Sequence, residues 1–314
     1  MSNLEPGSES NPGLLFKLLR EMGPTASRRL YYEPGMQWEG WLRGVAIIEG
    51  RGVAPQIRRA YGWLASGYRE GDRIFLFGYS RGAFAVRSLA GVIDRVGLLK
   101  REHATERAVR LAWRHYERSS DSPVAQAFAR RFCHVEAPIE MVGVWDTVKA
   151  LGLRLPFFWM FATDRYGFHN HHLGSSIRHG YHALALNETR EAFSPVMWDC
   201  PPGWESNVEQ VWFRGAHGDI GGQIGDFAAA RPLANIPLVW MLDRAEALGL
   251  ALPEGWRARF PCDPDAPMVG TWRSWGKWFL LRRRRAVGRD RSERLHPSAV
   301  QAAKGRWPRE MPAE

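Results

Sequence analysis

The chain has 314 residues, of which 45% are hydrophobic, and it carries a formal net charge of +10. The apolar share is enough for a sizeable core, and no apolar run approaches the length of a membrane span. The basic balance suits nucleic acid, anionic lipid or an acidic partner and does not choose among them. Three cysteines lie far apart without disulfide or metal-ligand spacing, and the polar N-terminus lacks the pattern of a secretory signal. We therefore expect a cytoplasmic protein.

The predicted elements alternate between helices and strands along the chain. Residues 1–13 are polar and predict a disordered tail, residues 14–300 a single domain with helical insertions, and residues 301–314 a C-terminal tail. Helices are predicted from residue 14 and over 52–68, 83–96, 101–131, 175–192 and 237–248. Strands are predicted over 29–32, 73–77, 139–145 and 208–213. This alternation is typical of an α/β fold with a mainly parallel sheet and helices on both faces.

A Gly-x-Ser-x-Gly turn at 78–82 joins an apolar strand to an apolar-periodic helix. This arrangement is the nucleophile elbow of α/β hydrolases. The serine of such a turn has a strained backbone, so Gly78 and Gly82 are expected to keep the neighbouring positions small. Ser80 would lie at the N-terminus of the helix, where the helix dipole and the backbone N–H of Arg81 favour a developing oxyanion. The alternative is an ordinary capping serine in a glycine-rich turn.

Two later residues complete the order Ser, Asp, His that this fold uses. Asp146 ends a predicted strand, and His217 lies in a glycine-rich loop after another. A serine hydroxyl needs a general base, and the base needs an orienting carboxylate. We therefore predict Ser80 as nucleophile, His217 as general base and then acid, and Asp146 as the orienting acid. Asp146 could instead cap a helix, and His217 could be a structural loop residue.

Two other carboxylates compete with Asp146 for the acid role. Asp219 lies two positions from His217 and is expected rather to support the loop by bonding to backbone N–H groups. Asp226 is the weaker rival.

Several longer motifs follow one another along the chain. They are Phe-Gly-Tyr-Ser-Arg-Gly-Ala-Phe at 77–84, Gly-Val-Trp-Asp-Thr-Val at 143–148, Arg-His-Gly-Tyr-His-Ala-Leu-Ala-Leu-Asn-Glu at 178–188, Trp-Phe-Arg-Gly-Ala-His-Gly-Asp-Ile-Gly-Gly at 212–222 and His-Pro-Ser at 296–298. In this order they resemble one bacterial family, the type VI secretion phospholipase effectors of family 1, which are α/β hydrolases. The resemblance implies that Ser80, Asp146 and His217 hydrolyse glycerophospholipid esters without a metal or other cofactor. It also implies export by a type VI secretion system, with the secretion apparatus or an immunity protein as partner.

The chain departs from this family at its start. Family members open with an apolar strand that ends in Asp-Gly-Thr near the oxyanion site, and no such strand precedes residue 14. Loss of that strand would expose a sheet edge and could remove an oxyanion donor. A weakly active or inactive hydrolase fold that serves as an interaction module is therefore an alternative.

Aromatic residues beside a basic tract suggest contact with a membrane surface. Arg282 begins a run of four arginines, which follows a tryptophan-rich stretch, and such a pair suits the headgroup boundary of an anionic bilayer. The candidate contacts are Trp272, Trp275, Trp278, Arg282 and Arg283. A packed helix with a solvated charged end is the alternative.

Three further features are open at the level of sequence. The apolar run at 157–161 suits a lid, an acyl-chain wall or buried core. The histidines at 169–172 lack the spacing of a metal site. A nucleic-acid-binding protein is an alternative class, but no nucleic-acid-binding motif is present, so we expect a phospholipid substrate and no nucleic acid.

Overall fold

The computed structural model describes residues 4, 7, 9–23, 28–35, 53–148, 173–200, 203, 207–273, 279, 281–305 and 307–308. The helices of this part are α1 Asn11–Glu21, α2 Val53–Gly67, α3 Arg81–Val96, α4 Glu106–Arg118, α5 Pro123–Phe132, α6 His217–Gly221 and α7 Arg231–Ala247. The strands are β1 Ile74–Tyr79, β2 Ile139–Trp145, β3 Ile177–Ala185, β4 Asn207–Phe213 and β5 Glu293–Leu295.

The five strands form one parallel sheet in the order β1-β2-β3-β4-β5. All the carboxyl ends therefore lie along one edge of the sheet. In an open parallel sheet this edge is where ligands bind and where catalytic loops gather. The predicted α/β-hydrolase-like architecture is confirmed.

Both faces of the sheet are covered, as predicted. Strand β2 is buried along its whole length and alternates its side chains between two cores. Val142 and Val144 pack with α2, α3 and α4, whereas Met141 and Trp145 pack with α1 and α7. A strand buried on both faces needs apolar residues at nearly every position, which explains the continuous apolar run in the sequence.

One predicted helix is wrong. Residues 175–192, predicted as helical, instead form the central strand β3 and a short 3₁₀ turn at Glu191–Phe193. From Gly180 onward the strand is buried on both faces, and it ends in Ala183, Leu184 and Ala185, so it lacks the period-2 alternation that identifies a half-buried strand. Its one fully buried histidine, His182, accepts a hydrogen bond from the Thr147 backbone N–H at 3.1 Å.

The predicted strand at 29–32 is also wrong, since these residues have no regular secondary structure. Their side chains pack on helices rather than join a sheet. The Arg29 guanidinium lies 4.7 Å from the Trp63 ring centroid, and Tyr32 stacks on Phe16 of α1 at 4.8 Å. The segment thus packs against both α1 and α2.

Other boundaries differ in detail. Helix α1 begins at Asn11, three residues before the boundary placed at residue 14, because Pro12 suits the first turn of a helix. The buried Asn11 amide donates to the carbonyls of Ile220 and Ala234. Helix α7 begins at Arg231 and holds Pro237 in its interior. The helical pair predicted over 101–131 is present as α4 and α5.

Within the described ranges, β1 pairs only with β2 and no strand precedes it. None of the described helices is both long and apolar enough to cross a bilayer. The predicted lid or wall at 157–161 and the histidines at 169–172 lie outside the described residues.

Candidate active site

The hydrogen-bond ladder continues one residue past β1 and β2, and this fixes the positions of two predicted catalytic residues. The Ser80 N–H donates to the Trp145 carbonyl at 3.1 Å, and the Asp146 N–H donates to the Ala183 carbonyl at 2.8 Å. Ser80 and Asp146 therefore lie directly after the adjacent strands β1 and β2, at the carboxyl edge of the sheet.

Ser80 lies between β1 and α3 in a strained conformation, with φ 58° and ψ −120°. A positive φ is costly for a non-glycine residue and persists only where the surrounding structure enforces it. Gly78 helps to enforce it, because a Cβ added there would lie 2.4 Å from the Gly82 carbonyl oxygen. Strand and helix could not approach so closely with any other residue at position 78.

The expectation for Gly82 needs a correction. A Cβ added at Gly82 would meet no atom within 4 Å, and the residue is exposed on the first turn of α3. Only the backbone of Gly82 takes part in the close approach. The steric demand of the turn therefore rests on Gly78 alone.

The structure brings the three predicted catalytic side chains into one chain of hydrogen bonds. His217 Nε2 lies 2.9 Å from Ser80 Oγ, and His217 Nδ1 lies 2.6 Å from Asp146 Oδ2. With the proton on Nδ1, Nε2 can accept the serine proton. Asp146 is fully buried, His217 is buried and Ser80 is partly exposed. The hydroxyl is therefore accessible while its partners are shielded.

Asp146 is held by more than the histidine. Its Oδ1 accepts the Ala185 N–H at 3.0 Å, and Arg285 reaches both oxygens, with Nη1 to Oδ1 at 2.5 Å and Nη2 to Oδ2 at 2.9 Å. Burial alone would raise the pKa of Asp146, but the charges and hydrogen bonds of Arg285 and His217 outweigh it and hold that pKa well below its usual value. The carboxylate is thus ionised at neutral pH. Its backbone is strained as well, with φ 42°.

Two aromatic rings enclose the imidazole of His217. Tyr79 lies 4.7 Å from it between ring centroids and donates its hydroxyl to the His217 carbonyl, and Phe193 meets it edge-on at 4.9 Å. Burial lowers the pKa of His217 below its usual value, although the hydrogen bond and charge of Asp146 raise it. The imidazole is therefore neutral near pH 7, as a general base must be.

Glu188 and Arg190 form a second buried ion pair that the sequence did not assign to the site. The Glu188 carboxylate accepts a hydrogen bond from the His217 backbone N–H at 3.1 Å. It also accepts two hydrogen bonds from Arg190, from Nη2 at 2.6 Å and from Nε at 2.8 Å. The Arg190 guanidinium lies 4.0 Å from the Phe193 ring centroid. Burial tends to raise the pKa of Glu188, but Arg190 reverses this and the pKa is lowered. The pair fixes the backbone of the histidine loop from the end of β3.

Asp219 has the supporting position predicted for it. Its carboxylate accepts the backbone N–H groups of Ala216 at 2.8 Å and Val269 at 2.7 Å. Asp226, the weaker rival for the acid role, is exposed to solvent, whereas Asp146 is buried against His217. Arg81 is the first residue of α3, directly after Ser80. In the described ranges, no group of three or more His, Cys, Asp or Glu side chains has the arrangement of a metal site.

The structure describes three of the five predicted membrane contacts. Trp272 is 62% exposed, with the Arg282 guanidinium 3.5 Å from its ring centroid, and Arg283 is also exposed. Trp275 and Trp278 lie outside the described residues. The fourth arginine of the tract, Arg285, is buried against Asp146 and does not face solvent as a solvated charged end would. No local sequence signal distinguishes it from its three neighbours.

Comparison with known proteins finds relatives much longer than this chain. The uncharacterized protein YEL023C of Saccharomyces cerevisiae is 29% identical over 226 residues, which are 64% of this chain and 31% of the relative. An uncharacterized protein from Pseudomonas aeruginosa of known crystal structure is 21% identical, with a TM-score of 0.33 over 70% of this chain and 31% of that chain. The Tle1 effector, solved bound to the VgrG spike of the type 6 secretion system, is 21% identical, with a TM-score of 0.27 over 60% of this chain and 33% of that chain.

The chain thus spans about a third of the length of each of these relatives. A family model described as "T6SS, Phospholipase effector Tle1-like, catalytic domain" matches residues 2–244, and this range contains the serine elbow and the histidine loop. The chain belongs to the family of Tle1-like catalytic domains of type VI secretion phospholipase effectors.

Proposed function

We propose that this chain is a serine hydrolase that cleaves carboxylic esters of glycerophospholipids. The observation that carries the proposal is the hydrogen-bonded series Ser80, His217, Asp146, with distances of 2.9 and 2.6 Å. Each side chain follows a different parallel strand, in the chain order that α/β hydrolases use.

In the first half-reaction, Ser80 Oγ forms a bond to the ester carbonyl carbon and its proton passes to His217 Nε2. Asp146 stabilises the imidazolium, and the Arg81 N–H at the start of α3 is one donor to the oxyanion. One such donor contributes about 10²–10³ in rate in a comparable hydrolase. When the ester C–O bond breaks, Nε2 returns the proton to the leaving alkoxide and an acyl-enzyme remains.

In the second half-reaction, water attacks the acyl carbon and gives a proton to His217 Nε2. The bond from the acyl carbon to Ser80 Oγ then breaks, and the proton returns to Oγ. A fatty acid leaves and the enzyme is restored. No metal or cofactor takes part in these steps.

The proposal of a phospholipid substrate rests on the family and on the surface beside the site. Arg282 donates to Thr189 Oγ1 at 3.2 Å, and Thr189 directly follows Glu188 at the edge of the histidine loop. The exposed Trp272 is therefore joined, through Arg282, to the wall of the site. An aromatic ring beside cationic side chains suits transient contact with an anionic membrane surface. Export through a type VI secretion apparatus is part of the same proposal.

A fluorophosphonate probe tests the proposal directly, since it labels only an activated serine. We expect the wild-type chain to label and to release acyl chains from phospholipid vesicles, faster when anionic lipid is included. Ser80→Ala and His217→Ala should abolish both signals, and the exposed Ser119→Ala should serve as a matched control that retains them.

Two outcomes would contradict the proposal. A folded wild-type chain that does not label would show that the serine is not activated and would favour an interaction module. Labelling without release from any phospholipid would retain a serine hydrolase and reject the lipid substrate.

A further inference from the structure

Arg285 is a buried cation that the hydrolytic steps above leave without a role. It follows Asp146 by 139 positions in the chain, yet both of its terminal nitrogens contact that carboxylate. The same guanidinium donates to the carbonyls of Ala185 at 2.9 Å and Phe193 at 2.5 Å. The residue is only 9% exposed. A two-pronged contact of this kind fixes a carboxylate in both distance and plane.

The contact changes the charge that His217 experiences. An Asp carboxylate without a cationic partner would favour the protonated imidazole strongly. Here Arg285 balances Asp146, and Arg190 balances Glu188. Other charged or titratable groups surround the pair of His217 and Asp146. They come from β1, from β3 and the residues after it, from α3 and from the C-terminal segment, and they are Tyr79, Arg87, His182, Glu188, Arg190 and Arg285.

We propose that Arg285 is a positioning residue, which holds the Asp146 carboxylate in the orientation that His217 requires. By balancing that carboxylate, Arg285 also keeps His217 uncharged and able to accept a proton at lower pH than an unbalanced Asp–His pair would allow. The inference rests on the proposed function, because it gives Arg285 a role in the same proton transfer. It adds a residue beyond the matched family range of 2–244.

The geometry supports orientation as well as charge balance. Asp146 has the strained φ of 42°, so its side chain is not placed by a relaxed backbone. Its Oδ1 accepts from the Ala185 N–H and Arg285 Nη1, and its Oδ2 is shared between Arg285 Nη2 and His217 Nδ1. Without the guanidinium, only the Ala185 N–H among these donors would hold Oδ1 in place.

The test is the pH dependence of labelling by a soluble fluorophosphonate, measured as a second-order rate constant. Arg285→Met keeps a long apolar stem but removes the charge, and we expect the acid limb of its profile to move up by about one pH unit or more. Arg285→Lys keeps the positive charge but loses the two parallel hydrogen bonds of the guanidinium. The acid limb of the lysine variant should stay within a few tenths of a pH unit of the wild type. Its maximal labelling rate should fall roughly tenfold, because one ammonium cannot hold both carboxylate oxygens in plane.

Arg284→Met is the matched control, since Arg284 belongs to the same tract and is exposed. It should leave both the limb and the maximal rate unchanged. Near-ultraviolet circular dichroism reports the folded fraction of each variant, so that a loss of fold is not read as a loss of reactivity. Should Arg285→Met not fold, the maximal rate of the lysine variant decides the positioning claim alone.

Three results would overturn the inference. A purely structural Arg285 would lower labelling only in proportion to the folded fraction, without moving the acid limb of the methionine variant. A lysine variant with the full maximal rate would show that the two parallel hydrogen bonds of Arg285 are not needed to position Asp146. If the wild type itself does not label, the proposed function fails and the inference fails with it. If the wild type labels but the acid limb of the Arg285→Met profile does not move, the inference alone is rejected.

Discussion

Asp146 contacts both the proposed general base and a buried cation, so we expect it to matter for the fold as well as for the proposed chemistry. It is fully buried beside Arg285, which is itself buried. Removing one member of a buried ion pair leaves the other charge uncompensated, which typically costs about 3–5 kcal/mol of stability. Substitution of Asp146 should therefore affect folding and catalysis together, unlike substitution of the nucleophile.

We expect Asp146→Asn to lower kcat by about 10⁴, because the amide no longer holds the imidazole in the tautomer that can accept the serine proton, as in an analogous protease triad. The same change should lower the free energy of unfolding by about 3 kcal/mol, because Arg285 remains buried and unbalanced. Phospholipid turnover and urea unfolding measure the two effects.

Ser80→Ala is the control for that comparison. It should abolish turnover and leave the free energy of unfolding within about 1 kcal/mol of the wild type, since the Ser80 side chain balances no buried charge. An Asp146→Asn variant as stable as Ser80→Ala would show that the ion pair with Arg285 contributes nothing to the fold.

The sequence identified the residues that the site brings together because their chemistry is local and ordered. Ser80 follows a strand, and Asp146 and His217 follow later ones, so parallel strands had to place all three at one edge. Arg285 was missed because its environment is set only by tertiary structure. In a run of four arginines, nothing local distinguishes the one that is buried.

At the scale of elements, the turn from β1 to α3 offers a sharp test through its two glycines. Gly78 faces the backbone of the first turn of α3, and Gly82 faces open space. Gly78→Ala should cost about 1–3 kcal/mol of stability, because backbone atoms cannot move aside as a flexible side chain would. It should also slow fluorophosphonate labelling by at least about 10², since displacement of the nucleophile by one ångström has an effect of this size.

Gly82→Ala is the matched partner of that variant. Alanine favours a helix over glycine by up to about 1 kcal/mol, so this change should be neutral or stabilising and should preserve labelling. The two variants carry the same chemical change on the same turn. Equal losses in both would mean that the turn depends on flexibility rather than on the close approach at Gly78.

Strand β3 shows where pattern reasoning fails for an element. The same segment carries Glu188 just beyond its end, so the wrong assignment as a helix also hid the second ion pair of the site. A central parallel strand is shielded on both faces, and its residues then resemble those of a buried helix. Strands β1, β2 and β4 were predicted correctly because each ends in a recognisable turn or loop motif.

At the scale of the whole molecule, the C-terminal segment completes what the matched family range begins. Strand β5 pairs with β4, and Arg285 reaches Asp146 from the residues just before that strand. The site therefore depends on residues from both sides of position 244, where the family match ends. Cooperative folding of the domain is expected to include this segment, since its removal would unpair a buried charge.

Buried histidines give the whole molecule a predictable response to acid. His182 is fully buried under the site, and burial, together with the nearby charge of Arg87, lowers its pKa to about 3. Burial also lowers the pKa of His296 to about 4. The unfolded chain binds these protons below pH 6.5, and the folded chain does so only below the lowered values. Stability should therefore fall as the pH falls from 6.5 toward 3.

For His182 alone, the expected loss of unfolding free energy between pH 7.5 and 5 is about 2 kcal/mol. Urea unfolding at pH 7.5 and pH 5 measures the total loss. His182→Gln keeps an acceptor for the Thr147 N–H without a titrating group, so it should reduce the loss by roughly that 2 kcal/mol, whatever its effect at pH 7.5. A loss in His182→Gln equal to that of the wild type would show that His182 accepts a proton while folded, because solvent or a rearranged partner then reaches it beneath the site.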